Sequence, residues 1–111
     1  MTEKMKSDFA KIVPDDFEQY REIGKRFQNV NMENTEELNK LTIDTWLLAS
    51  RWSEIQSLSR KISEKFNVSK TDFSDWAYQK YRQLQELHIT CRSWYRLSLE
   101  EQRQIRMIEG V

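Results

Sequence analysis

From Lys25 to Glu109 the sequence contains neither glycine nor proline; its two glycines are Gly24 and Gly110, and its one proline is Pro14. Hairpins and tight turns rely on Gly, Pro, Asn and Asp for their backbone conformations, so a sheet-rich chain would have little to turn with. Helix interiors have the opposite need, because Gly and Pro are the residues least favourable there. This absence predicts an all-α chain with long helices. At 111 residues it predicts a single domain with a modest core.

The breaks between helices are short and chemically legible. Pro14-Asp15-Asp16 puts a proline at a first helical position, with two carboxylates where the helix dipole favours them. Phe17, Tyr20, Ile23, Phe27 and Val30 then form one apolar stripe, which predicts a helix over 15–30. Met5, Phe9 and Ile12 suggest a short leading turn of helix before it. Asn34, with Glu37 three residues on, resembles a capping box and opens a second helix predicted to run unbroken over 35–66. Its seam has Leu41, Leu48, Ile55 and Ile62 at one position. Leu38, Trp52 and Phe66 stand at the other, where Thr45 and Ser59 interrupt.

Asn67-Val68-Ser69 forms the next break, and Ser69 with Asp72 offers a further cap. A third helix over 70–97 follows, with Phe73, Ala77, Leu84, Leu87, Cys91 and Trp94 on its main face and Trp76, Tyr81 and Tyr95 widening it. Helices joined by so few residues fold back as an antiparallel hairpin. Ser98-Leu99-Glu100-Glu101 has the form of a capping box and predicts a short fourth helix over 99–108, stopped by Gly110. The expected architecture is an elongated helical bundle on a long antiparallel hairpin, with a shorter N-terminal helix and a short C-terminal one. Two hairpins side by side would bury the surplus of Trp, Leu and Ile, so a homodimer is the expected form.

Composition excludes several classes. Eighteen acids balance 18 bases, which argues against a polybasic nucleic-acid tail or an acidic mimic. Residues 1–38 carry nine acids against six bases, and residues 39–97 carry ten bases against six acids, so a mild basic surplus sits on the long helices. A single cysteine, Cys91, cannot form an intramolecular disulfide. No apolar run approaches the ~20 residues a membrane span needs, and residues 1–13 lack the apolar core of a signal peptide. The Asn67-Val68-Ser69 sequon is then a chance match, and the expected location is cytoplasmic.

Chemistry has few carriers here. With glycines only at 24 and 110, no phosphate-cradling or nucleophile-elbow motif can form. The acidic pairs Asp15-Asp16, Glu36-Glu37 and Glu100-Glu101 all fall in predicted first turns, where the helix dipole accounts for them. His88 and Cys91 share a helix face at a spacing that suits two metal ligands, yet zinc needs three or four and no second pair exists. No enzyme activity, cofactor or metal is expected.

Two surface features remain. Trp46 lies off the predicted seam, in a stretch where Leu41, Ile43, Trp46, Leu47 and Leu48 face all round the helix, so Ile43, Trp46 and Leu47 form a candidate partner or oligomer contact. On the far face of the third helix, Tyr78, Arg82, Gln85, Ile89, Arg92 and Arg96 form a line with three arginines and no acid. Tyr78, Arg82, Arg92 and Arg96 are the candidate nucleic-acid contacts. A pI of 6.6 favours an ordinary solvated face there instead. The function expected is a non-catalytic adaptor, inhibitor or scaffold subunit that docks on another protein. A nucleic-acid-binding accessory protein is the alternative, and adsorption to a lipid or granule surface ranks last.

Overall fold

A computed structural model describes residues 1–109, giving the backbone alone at 105, 108 and 109. Those residues form five helices and no strand: α1 Glu3–Ile12, α2 Pro14–Gln28, α3 Thr35–Ser57, α4 Ser59–Phe66 and α5 Lys70–Glu109. The α3–α5 contact is the most extensive in the molecule, and α4 continues the α3 side of that antiparallel pair. The result is a rod of 67 × 22 × 20 Å with a radius of gyration of 18.1 Å. A compact chain of this length would have about 13 Å.

The caps form where the sequence places them. Pro14 opens α2, the Asn34 side chain accepts from the Glu37 amide at 3.1 Å, and the Ser69 hydroxyl accepts from the Asp72 amide at 3.3 Å. Asn67 takes the left-handed conformation, φ 53°, and ends α4. Such a conformation is least costly for Gly and Asn, which is why this asparagine can reverse the chain without a glycine.

Three expectations need correction. The leading turn is a full helix, α1, whose Thr2 hydroxyl accepts from the Met5 amide at 3.2 Å. The helix expected unbroken over 35–66 is interrupted at Leu58, φ −92° and ψ 8°. There the Ser57 hydroxyl donates to the Glu54 carbonyl and the Ser59 hydroxyl to the Gln56 carbonyl, each at 2.6 Å. Serine hydroxyls that compete for helix carbonyls loosen the ladder, and two of them flank the break.

The third correction concerns the break expected at 97–98 and the separate helix over 99–108, neither of which forms: α5 runs through to Glu109. Ser98 is buried inside it, and its hydroxyl lies 2.7 Å from that of Thr35, which also accepts from Gln102 Nε2 at 2.7 Å. A serine with a partner across the bundle has no need to cap, and nothing upstream ends the helix. Gly110, expected as a stop, lies outside the described residues.

The core is densest where α1 and α2 meet the hairpin. Phe9 sits edge-on to Phe73 with ring centroids 5.4 Å apart, and Trp52 edge-on to Trp76 at 5.3 Å. Phe17 and Tyr20 of the α2 stripe close over the two tryptophans at 6.0 and 6.1 Å. Thr45, a polar residue at a seam position, is fully buried and donates to the Thr42 carbonyl at 2.9 Å. Phe66 leaves the expected seam and is exposed, with the Lys65 ammonium 5.4 Å from its ring centre.

Candidate functional site

The α3–α5 pair has two long sides, and α2 lies along one of them. On that side Ile23 is buried, Phe27 stacks on Trp94 at 5.1 Å, and Tyr20 bonds to Gln83. Arg26 pairs with Asp44 at 2.9 Å and Arg51 with Asp16 at 3.1 Å, tying α2 to α3. Lys80 lies over the Tyr20 and Trp76 rings at 5.1 and 5.5 Å. Burial lowers its pKa, with the nearby charge of Lys6 adding to the effect.

Nothing in the described chain covers the opposite side. Ile43, Trp46 and Leu47, on the outer face of α3 between α2 and that open side, are 50, 56 and 55% exposed, so the structure places all three on the surface and none in the core. Ile43 and Leu47 look outward from α3, and Leu47 borders a shallow cleft against α2. Trp46 turns the other way and walls a groove of about 330 Å³ between α3 and α5. Tyr81, Gln85, His88, Ile89 and Arg92 form the α5 side of this groove.

Of the line on α5, Gln85, Ile89 and Arg92 wall this groove, and Arg82 and Arg96 share their stripe at three- and four-residue spacing without lining it. Tyr78, Ile89 and the three arginines are exposed. The Arg82 guanidinium sits 6.0 Å from the Tyr78 ring centre and donates to its hydroxyl at 3.3 Å. That bond, together with Glu86 nearby, raises its pKa further. Among the described residues, every arginine of α2, α3 and α4 has a carboxylate within 4 Å, whereas Arg82, Arg92 and Arg96 have none. Glu86 and Glu100 stand four positions beyond Arg82 and Arg96 without closing a pair, and Arg92 has no acid at helical spacing.

One residue from each surface candidate, Trp46 and Arg92, therefore lines the same groove. The register does this: Thr35 stands opposite Ser98 and Thr42 opposite His88, which sets Trp46 level with the stretch around Gln85 and Ile89. The short turn at 67–69 was the available signal, because it fixes which residues of the hairpin are level. It could not say that both features fall on the same side, since that depends on where α2 lies.

His88 and Cys91 do not form a pair. Cys91 is fully buried, and burial pushes its thiol pKa up, with a smaller downward pull from Arg26. His88 Nδ1 is 2.9 Å from the Thr42 carbonyl. A carbonyl only accepts, so Nδ1 carries the proton and Nε2 of the neutral ring is an acceptor. No cluster of three or more His, Cys, Asp or Glu suited to a metal occurs among the described residues. Nor is any helix there long and apolar enough to cross a membrane.

Compared with models of known protein families, with curated proteins and with solved structures, the chain matches none.

Proposed function

We propose that this chain is a non-catalytic adaptor, inhibitor or scaffold subunit that acts by docking on another protein, and that it self-associates as a homodimer. The observation that carries this reading is the ridge of Ile43, Trp46 and Leu47, three large apolar side chains at least half exposed within five consecutive positions of α3. Clustered apolar surface of this kind marks contact sites, and tryptophan is among the commonest anchors of binding energy.

The shape supports it. The accessible surface is 7880 Å², against about 6500 Å² expected for a compact protein of this mass. A standard interface removes roughly 800 Å² from each partner, so the excess is enough to supply one.

The test is differential capture from the native host. Tagged wild-type chain and a triple variant, Ile43→Ser with Trp46→Ser and Leu47→Ser, are compared at equal helicity. A protein retained stoichiometrically by the first and lost by the second is the expected result. An identical set of captured proteins would rule the ridge out as a docking surface. Sedimentation equilibrium at micromolar concentration tests the homodimer, which the triple variant should dissociate.

A further inference from the structure

We propose that the groove between α3 and α5 binds single-stranded nucleic acid, with a base stacked on Trp46 and the backbone phosphates held by Arg82, Arg92 and Arg96. This goes beyond protein docking through the α3 ridge and shares only Trp46 with it, so an oligonucleotide and a docked protein exclude each other at that side chain.

The first support is charge. In α2, α3 and α4 each arginine has a carboxylate within 4 Å, and the pairs of Arg26 and Arg51 reach across to a second helix. Arg92 in the groove, and Arg82 and Arg96 on the same stripe of α5, have no such carboxylate among the described residues; Arg82 gives one donor to the Tyr78 hydroxyl, and the other donors are left for an anion from outside. Arg82 and Arg96 are 14 residues apart on one helix, a span of about 21 Å. A row of phosphates can follow that length, whereas a single small anion cannot.

The second support is the wall of the groove. Trp46 is exposed over half its surface, and Tyr81 and His88 face it across the opening. Aromatic planes beside a line of cations are the combination that binds single strands without strong sequence preference. Duplex DNA keeps its bases stacked in the helix and has no free base face to offer a tryptophan.

The two sides of the hairpin decide between a nucleic acid and an acidic amphipathic helix. α2 shows what a helix needs for a seat here: an apolar bed that includes Leu48, Trp52 and Trp76. The open groove has one aliphatic residue, Ile89, on its α5 side, with Tyr81, Gln85, His88 and Arg92 making up the rest. Those side chains offer hydrogen bonds to base edges and phosphates, and a row of leucines would leave them unpaired.

The experiment uses the full-length chain and a fluorescein-labelled oligo(dT) of about 12 nucleotides, within the usual single-strand site range. Anisotropy and tryptophan emission are read across a salt series. Binding at low salt with quenching of tryptophan emission is expected. Trp46→Ala should remove most of the quenching and weaken binding at least about fivefold, the lower end of what one stacked base contributes. Changing Arg82, Arg92 and Arg96 together to Ala should flatten the log affinity against log salt slope by about 2, at roughly 0.7 per phosphate. The Ile43→Ser, Leu47→Ser double variant should bind the oligonucleotide normally even where protein docking is lost, which separates failure of one reading from failure of the other. The proposal is overturned by no binding at low salt, or by an unchanged salt slope in the triple variant. Binding of poly-L-glutamate at the groove without any oligonucleotide quenching also overturns it, and makes an acidic protein the occupant.

Discussion

The two sides of the α3–α5 hairpin are made from the same kinds of residue and differ in what covers them. On one side Trp52 and Trp76 lie under Phe9, Phe17 and Tyr20, and the arginines of that side pair with acids. On the other, Trp46 stands in the open across a groove from Arg92, which has no carboxylate within 4 Å among the described residues. A tryptophan count alone cannot separate these roles. What separates them is the position of α2, a 15-residue helix about 22 Å long that lies along one side of a rod 67 Å long.

The largest expected effect comes from breaking that contrast at its buried end. Trp76→Ala should cost about 3–5 kcal/mol, because it empties the junction where Phe9, Phe17 and Trp52 converge and those elements cannot collapse independently. Trp46→Ala in the monomer should change stability by no more than about 0.5 kcal/mol. Urea unfolding of the two variants side by side checks both.

A smaller effect tests the end of the hairpin. Thr35→Val removes the hydroxyl that bonds Ser98 and Gln102, leaving the buried Ser98 hydroxyl without that partner. It should cost about 1–2 kcal/mol. Amide hydrogen exchange should show the loss at the start of α3, with the Trp52–Trp76 junction unchanged.

That latch also marks the limit of what the sequence discloses. The α2 stripe, the caps at Asn34 and Ser69 and the reversal at Asn67 were legible because each rests on a local pattern. Ser98 was misread because a capping box is also local, whereas the atom that engages its hydroxyl lies 63 residues away on Thr35. The Leu58 break was missed because a serine facing solvent and a serine bonded back to its own helix look alike in sequence. Of the candidate site, the residues were legible and their assembly was not. Trp46 and the arginine line were each visible, but their meeting depends on which side α2 takes.

The smallest effect concerns Cys91. Its buried thiol holds its proton to higher pH than the ordinary 9.0, while the unfolded chain releases it near that value. The folded state then binds more protons above pH 9, so this contribution is full below pH 9 and is lost as pH rises through the folded value. Stability should decline slightly across that range in the wild type. Cys91→Ala should lack the thiol's part of the decline while keeping that of the half-buried Tyr20 hydroxyl, whose pKa burial also raises. Alkylation of the native thiol, followed by mass spectrometry, should be slow at neutral pH and limited by opening of the α2–α5 packing.

The contrast between the two sides turns on whether the Trp46 ridge is covered from outside the chain. Urea unfolding of wild type and Trp46→Ser, each measured over a hundredfold or so of protein concentration, tests this most directly, because anything that binds only the folded state raises the midpoint by mass action. The wild-type midpoint should rise with concentration, while that of Trp46→Ser stays flat at the dilute wild-type value. A variant less stable than wild type by the same amount at every concentration would contradict this, since it would mean that Trp46 supports the monomer's own core. A wild-type midpoint independent of concentration would equally contradict coverage by a second copy.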